Sequence, residues 1–319
     1  MAARVLVTGG AGFIGSNLVL RLLERGHRVR VLDNFATGSR ANLAGVEPDV
    51  EILEGDLRSL DQVQAAVRGV EVVFHVGALP SVPRSVRNPL TTNSVNLDGT
   101  LNVLLAARDG GVGRVVFASS SSVYGNHGPL PRVESLRPDP ISPYAVSKLA
   151  AESYCVSFAR AYALETVCLR YFNVYGPNQS AESEYAAVVP RFMAAASEGR
   201  PVTIFGDGSQ TRDFTYVADV VDATILAAEH RGETPIVLNA AAGRSISVAA
   251  LADAVGVALG VTVEREHLPA RTDEVRHSHA DVSLAERLLG FSPRVSIERG
   301  LELAVEALAA RGALAARVG

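Results

Sequence analysis

Short runs of β-branched and aliphatic residues alternate with amphipathic stretches along most of this chain. Residues 4–8, Arg-Val-Leu-Val-Thr, form a compact apolar run of the kind that makes a buried strand. A glycine-rich turn follows, then an amphipathic helix to about residue 25, closed by Gly26-His27. Residues 28–32 predict a second strand ending on Asp33, and 50–53 a third. A helix near 60–67, a strand over 70–75, a long helix over 86–108 after Pro80 and Pro83, and a strand over 112–118 come next. Ser142 reads as an N-cap and Pro143 suits a first helical turn. Beyond that helix we expect a strand at 165–170 and a helix at 186–197. A helix opening at 217–220, a strand at 236–239 and a helix over 245–259 capped by Ser247 complete the pattern. Alternating strands and helices predict an α/β fold with a parallel, doubly wound sheet and ligand at the carboxyl ends of the strands.

Composition narrows the possibilities. A chain of 319 residues holds one large domain or two coupled ones, and 48% hydrophobic content fits a globular protein. The net charge of −4 carries no nucleic-acid signal. Cys155 and Cys168 fall in a predicted helix and strand with no ligand spacing around them, so they read as core thiols. No apolar run reaches the ~18–20 residues that span a bilayer, and the first residues lack an apolar leader segment. These features predict a soluble, cytoplasmic protein. One count stands apart: of 30 Lys and Arg residues, 29 are Arg, and Lys148 is the single lysine. Arg carries a planar fork that cannot take the place of a compact ammonium, so Lys148 is expected to have a chemical task.

Three groups of residues carry candidate chemistry. Gly9, Gly12 and Gly15 sit between a strand and a helix, which lets a backbone approach a pyrophosphate at the helix N-terminus. Asp33, ending the next strand, is placed for the adenosine ribose hydroxyls, and its charge repels a 2′-phosphate, which favours NAD over NADP. Arg40, seven positions on, leaves the cofactor choice less one-sided. Ser119-Ser120-Ser121-Ser122 end the strand predicted at 112–118, where hydroxyls would face the crevice or merely form a polar loop. Tyr144 and Lys148 are four apart and share a helix face. A free tyrosine has a pKa of about 10. A nearby ammonium and an oxidised nicotinamide favour the phenolate and are expected to lower that pKa. Ser120 would then hold a substrate hydroxyl, Tyr144 act as base and Lys148 tune it.

Thr8-Gly9-Gly10-Ala11-Gly12-Phe13-Ile14-Gly15, the serine run before Val123-Tyr124-Gly125, and Tyr144-x-x-x-Lys148 together resemble the extended short-chain dehydrogenase/reductase family. The likeness runs nearly end to end and is greatest to its nucleotide-sugar branch, the UDP-hexose 4-epimerases. It implies a Rossmann-type domain over residues 1–172, with a return segment about 213–240. A smaller, interleaved C-terminal α/β domain over 173–212 and 241–319 would bind the nucleotide sugar. It implies catalytic Ser120, Tyr144 and Lys148. It implies NAD contacts at Gly9, Gly12, Phe13, Ile14, Gly15, Asp33, Asn34, Asp56, Leu57, Val76, Ala78, Asn96, Tyr144, Lys148 and Tyr171, with Tyr171 and Phe172 lining the nicotinamide side. On the substrate side it implies Ser120, Ser121, Tyr144, Asn173 at the diphosphate, Val188 and Val189 near uridine, and Phe205 stacked on uracil. Arg212 and Arg271 would bind the phosphates. The motif departs from the family at Thr272-Asp273, and Glu274 stands for the family's Asp at the ribose.

Ser278 falls where narrow-specificity epimerases carry Tyr, so room for an N-acetyl group is expected and both UDP-glucose and UDP-N-acetylglucosamine pairs become candidate substrates. Related 4,6-dehydratases carry Asp-Glu after the catalytic Ser/Thr, whereas this chain has Ser121-Ser122. Uronate epimerases, decarboxylases and a non-catalytic NAD sensor are the other readings the likeness leaves. His267, His277 and His279 do not form a metal set. The family often dimerises through the helices expected at 86–108 and around Tyr144, and Leu97, Leu101, Leu104, Leu105, Phe158 and Tyr162 permit this.

Overall fold

The computed structural model describes residues 3–126, 128–181, 186–270 and 275–310. Seven parallel strands form one sheet in the order Ile236–Ala240, Glu165–Tyr171, Arg114–Ser120, Val72–His75, Arg4–Thr8, Arg28–Asp33, Val50–Glu54. The fold is a Rossmann-like α/β fold. Its strands read as unbroken apolar runs because helices cover both faces. The two-residue period of a strand sorts the side chains: Val5 and Val7 pack into one core and Leu6 into the other. Helices Phe13–Glu24 and Val217–Glu229 close the first face, and Leu60–Val67, Gly99–Asp109 and Pro143–Tyr162 the second.

Chain direction places the site. From Arg4–Thr8 the chain first builds outward through Arg28–Asp33 and Val50–Glu54, then returns to pair Val72–His75 on the other side of Arg4–Thr8. The crevice opens at that switch point, beyond the carboxyl ends of the two strands. Three two-stranded ladders lie outside the sheet: Val174–Tyr175 with Thr215–Tyr216, Thr211–Arg212 with Ile246–Ser247, and Val202–Phe205 with Arg265–Leu268.

Two expected helices differ in detail. The helix expected over 86–108 is broken into Val82–Arg87 and Pro89–Asn93, then a π-helical turn Ser94–Asp98 that runs into Gly99–Asp109. Pro89 forces Asn88 out of helical geometry, and the Asn88 side chain caps the restart by accepting from Thr91 N at 3.1 Å. The helix expected from 245 starts at Val248, because Ile246 and Ser247 pair in a ladder; Ser247 Oγ caps it, accepting from Ala250 N at 3.0 Å. Cys155 and Cys168 are both buried free thiols. Among the described residues no helix is long and apolar enough to cross a membrane.

Candidate active site

Helix Pro143–Tyr162 presents a stripe of buried residues to the sheet: Ala145, Ser147, Lys148, Ala151, Glu152, Cys155 and Phe158. Ser142 Oγ caps it, accepting from Ala145 N at 3.2 Å, which fixes Tyr144 in the first turn. Tyr144 is half-buried, with the Ser120 hydroxyl near its phenol. Burial pushes its phenol pKa up, and the neighbouring Ser120 hydroxyl pulls the other way. Lys148 turns its ammonium to a backbone carbonyl, so it does not oppose that rise. Lys148 is 4% exposed, donates from Nζ to Ala118 O at 2.8 Å and lies 5.0 Å over the Phe117 ring. Burial brings its pKa down to about 8. A fork-shaped guanidinium would demand several acceptors where one carbonyl is offered.

The four serines divide. Ser120 ends its strand, and its Oγ accepts from Ser122 N at 3.2 Å and Ser122 Oγ at 2.9 Å. Ser121 and Ser122 are half-buried in the turn that follows. Ser119 points the other way and donates to Glu152 Oε2 at 2.7 Å, so not all four hydroxyls face the crevice as the run suggested. Glu152 also takes a two-pronged bond from Arg170, Nε at 3.0 Å and Nη2 at 2.6 Å. This buried pair ties helix Pro143–Tyr162 to strand Glu165–Tyr171; removing one partner of such a pair costs about 3–5 kcal/mol.

The glycine loop is built by close approach. Gly9 has φ +68°, and a Cβ there would lie 2.6 Å from Gly77 Cα; one on Gly15 would collide with the Gly9 carbonyl oxygen. Gly12 is the N-cap of helix Phe13–Glu24 and supplies no side-chain acceptor, so the helix offers N–H groups at the crevice beside half-buried Phe13 and Ile14. Asp33 accepts from Ala11 N at 2.9 Å and Phe35 N at 2.8 Å, and its carboxylate keeps further lone pairs for a ribose. Arg40 is engaged with Glu54 at 2.7 Å and stacks over Phe35 at 4.3 Å. Asn34 Nδ2 donates to Asp56 Oδ2 at 3.0 Å; the fork of Arg58 holds the Asp56 carboxyl well below the usual range. Leu57 is buried, and Val76 and Ala78 are half-buried beside Gly77. An uncapped helix start, a loop with no room for Cβ atoms and an acid at the next strand end fit NAD.

Some expected contacts are not presented as the sequence suggested. Phe172 is 0% exposed beneath Tyr124, and Tyr171 turns its hydroxyl into the core, 2.7 Å from Thr224 Oγ1. Val189 is buried in the main core while Val188 is half-buried at its edge. Asn173 is exposed, and its carbonyl accepts from Thr215 N at 3.2 Å. Phe205 is half-buried at the end of a ladder strand. Arg212 donates from Nη1 to Thr211 O at 2.9 Å and to Arg276 O at 3.0 Å. Ser278 is buried beside it, with its backbone N bonded to Thr211 O at 3.1 Å. Arg271 and Glu274 lie outside the described residues. His267, His277 and His279 go to separate partners, Gly206 O, Thr211 Oγ1 and Gly243 O.

Sequence reading missed His75, Thr8, Thr100, Ser147, Glu152 and Arg170, which are buried around the catalytic helix. Glu152 could have been found: it continues the four-residue spacing of Tyr144 and Lys148 on one helix face.

A doubly wound sheet, a glycine cradle at its switch point and a serine, tyrosine and lysine over the crevice define a dinucleotide-dependent enzyme that moves hydride. The NAD dependent epimerase/dehydratase family matches residues 5–241, and the chain belongs to that family. Its cofactor is NAD. It is 40% identical to the UDP-glucose 4-epimerase of Mycolicibacterium smegmatis over 95% of this chain and 97% of that one. It is 33% identical to the UDP-N-acetyl-α-D-glucosaminuronate decarboxylase of Bacillus cytotoxicus, over 96% and 98%. Among solved structures it superposes on the UDP-N-acetylglucosamine 4-epimerase of Methanobrevibacter ruminantium with a TM-score of 0.92 and 37% identity, covering 97% of this chain and 99% of that one.

Proposed function

We propose that the chain catalyses reversible inversion at C4 of a UDP-hexose through a 4-keto sugar, accepting the glucose/galactose and N-acetylglucosamine/N-acetylgalactosamine pairs. The observation that carries this reading is the half-buried Tyr144 phenol in the first turn of its helix with the Ser120 hydroxyl near it, and Ser121-Ser122 where an eliminating enzyme needs an acid and a base. Ser120 holds the O4 hydroxyl and Tyr144 takes its proton, then returns it. When bound, NAD⁺ supplies the hydride acceptor for C4 and a positive ring beside the phenol. Lys148 keeps a dry positive charge under Ser120's strand. Asn173, Phe205, Arg212 and Arg271 tether the nucleotide while the sugar turns over, so binding energy is spent on the nucleotide and not on fixing the sugar. The buried, small Ser278 supports room for the N-acetyl group.

The rest of the assignment follows the same reading. The NAD-binding part comprises 1–172 and 213–240, and the sugar-nucleotide part 173–212 and 241–319. In support, Ile236–Ala240 joins the central sheet, whereas Val202–Phe205 and Thr211–Arg212 pair only with strands after 241. A cytoplasmic homodimer is part of the proposal. Val86 at 57%, Leu90 at 82%, Val146 at 51% and Tyr162 at 50% exposure offer an apolar face on the two helical segments concerned. Leu104 and Phe158, expected in that face, are instead buried in the second core.

The likeness to a decarboxylase makes a C6-carboxylated sugar the second reading. Incubation with UDP-glucose, UDP-N-acetylglucosamine and UDP-glucuronate, with products resolved by NMR, tests both. A 4-epimer of a neutral hexose is expected. A 4-epimer of the glucuronate only, or a pentose, moves the chain to the second reading; no 4-epimer from any UDP-sugar overturns the proposal.

A further inference from the structure

The proposed reaction makes no use of the polar chain buried between the cofactor loop and the catalytic helix. His75 ends strand Val72–His75 and is 1% exposed. Its Nδ1 lies 2.7 Å from Thr8 Oγ1 and its Nε2 2.9 Å from Thr100 Oγ1. The proton positions follow by elimination. Thr100 has one hydroxyl proton and donates it to Asn96 O at 2.5 Å, so towards His75 its oxygen can only accept. Nε2 therefore carries the ring proton. Burial, and then the charge of Lys148, brings the imidazole pKa down to about 3, so the ring is neutral and Nδ1 is bare. Nδ1 accepts the Thr8 hydroxyl proton, and Thr8 Oγ1 in turn accepts from Gly77 N at 3.1 Å. Every hydrogen bond runs one way, from the Gly77 amide to the Asn96 carbonyl.

Asn96 extends the chain. Its Oδ1 accepts from Leu79 N at 2.7 Å, and its Nδ2 donates to Leu79 O at 3.2 Å and Ser147 Oγ at 3.1 Å. Ser147 Oγ donates to Tyr144 O at 2.8 Å. Asn96 sits in the π-helical turn, a local irregularity that recurs at functional sites. Loop 76–79, beside the glycine cradle, and the first turn of the helix bearing Tyr144 are thus joined by the Asn96 side chain, and the buried imidazole braces the backbone of that same Asn96 against Gly77 at the other end of the loop.

We propose that His75 is a positioning residue: as the neutral Nε2–H tautomer it sets the spacing between loop 76–79 and Tyr144. The proposal rests on the reading of the reaction given above. Either other protonation form puts Nδ1–H against Thr8, whose oxygen would then have to accept from both Nδ1 and Gly77 N while its own proton loses the ring nitrogen as acceptor. Displacement of about 1 Å between reacting groups can cost about a hundredfold in rate, so the chain acts on turnover and not on substrate affinity.

Two measurements test this. Long-range ¹H–¹⁵N NMR on the full chain, with His75 assigned by comparison with His75→Gln, is expected to show Nε2 protonated and Nδ1 bare between about pH 5 and 8. A protonated Nδ1 anywhere in that range overturns the proposal. In kinetics, Thr100→Val removes the acceptor for Nε2–H and Thr100→Ser keeps it. Valine is expected to lower kcat about tenfold with KM for the UDP-sugar within about twofold, while serine stays near the parent. Unchanged kcat in a folded Thr100→Val, or an equal loss in Thr100→Ser, overturns it. Should the parent chain turn over no UDP-sugar, the reaction reading fails while the NMR result still decides the tautomer; an unfolded valine variant leaves the decision to the same spectra.

Discussion

The two sides of the crevice hold their buried titratable groups differently. On the cofactor side, the Lys148 ammonium meets a single carbonyl, Ala118 O, within a seven-stranded sheet, and burial brings its pKa down to about 8. At the junction with the other side, Asp213 is 0% exposed and accepts from that side's Ala242 N at 3.0 Å and Ala280 N at 3.1 Å, and burial pushes its pKa up to about 6. The sheet side is held by long parallel pairings and buried networks. The opposite side rests on two-residue ladders and on side chains such as Arg212 that bind neighbouring carbonyls. The difference implies a division of labour. Changes near Lys148 should act on turnover, and changes near Asp213 and Ser278 on which sugar is used and on fold stability.

The largest break in that division should come at the base. Tyr144→Phe is expected to lower kcat about a thousandfold, within the range for removing a general acid–base group, with little change in UDP-sugar KM; steady-state assays with both substrate pairs check it. Lys148→Arg keeps a positive charge but should still cost about a hundredfold in kcat, because a guanidinium cannot sit on one buried carbonyl. The same variant sharpens the point through pH. In the parent, kcat should fall as pH rises through about 8, where the ammonium loses its proton. A guanidinium does not titrate there, so the variant's pH profile should lack that limb. Near-normal turnover in Lys148→Arg would remove the reason for assigning a task to the single lysine.

The comparison also accounts for what could be read from the sequence. Strand runs such as Val5-Leu6-Val7, the glycine spacing and Tyr144-x-x-x-Lys148 carry local periodicity, and the structure shows the strands near where they were expected and Ser142 as the cap. The pKa direction of Tyr144 could not be read, because it depends on where the Lys148 ammonium points, a tertiary outcome. His75 looked like one more residue of a strand; its partners Thr8 and Thr100 are 67 and 25 positions away. The helix break at Asn88 was visible in Pro89, but the π-helical turn after it leaves no mark in apolar spacing. On the substrate side the roles of Phe205, Arg212 and Ser278 came from resemblance alone, since an isolated arginine or serine has no periodic context.

Ser278 offers a smaller effect on the substrate side. Ser278→Tyr should lower kcat/KM for UDP-N-acetylglucosamine about tenfold or more relative to UDP-glucose, the size of a steric mismatch in a pocket. Taking the ratio of the two substrates removes any general loss from overpacking a buried site. An unchanged ratio in a folded variant would detach Ser278 from sugar choice and leave the substrate side with no assigned selector.

The smallest effect is on stability, at Asp213. Its folded pKa of about 6 lies above the ordinary value of 3.8, so the folded state holds a proton that the unfolded state has released between these two pH values. Its contribution to stability is therefore fully present below about pH 4 and is lost as pH rises through about 6. Asp213→Asn cannot titrate. It should be less stable than the parent at every pH, since one amide N–H group would face the backbone donors of Ala242 or Ala280. The gap in Tm between parent and variant should narrow from about pH 4 to 6, because only the parent loses stability from this group across that interval. His279 is the nearby group whose charge pulls the Asp213 pKa the other way. A gap that widens over the same interval would mean that the two backbone bonds outweigh burial, and that the substrate side holds its charge as firmly as the sheet holds Lys148.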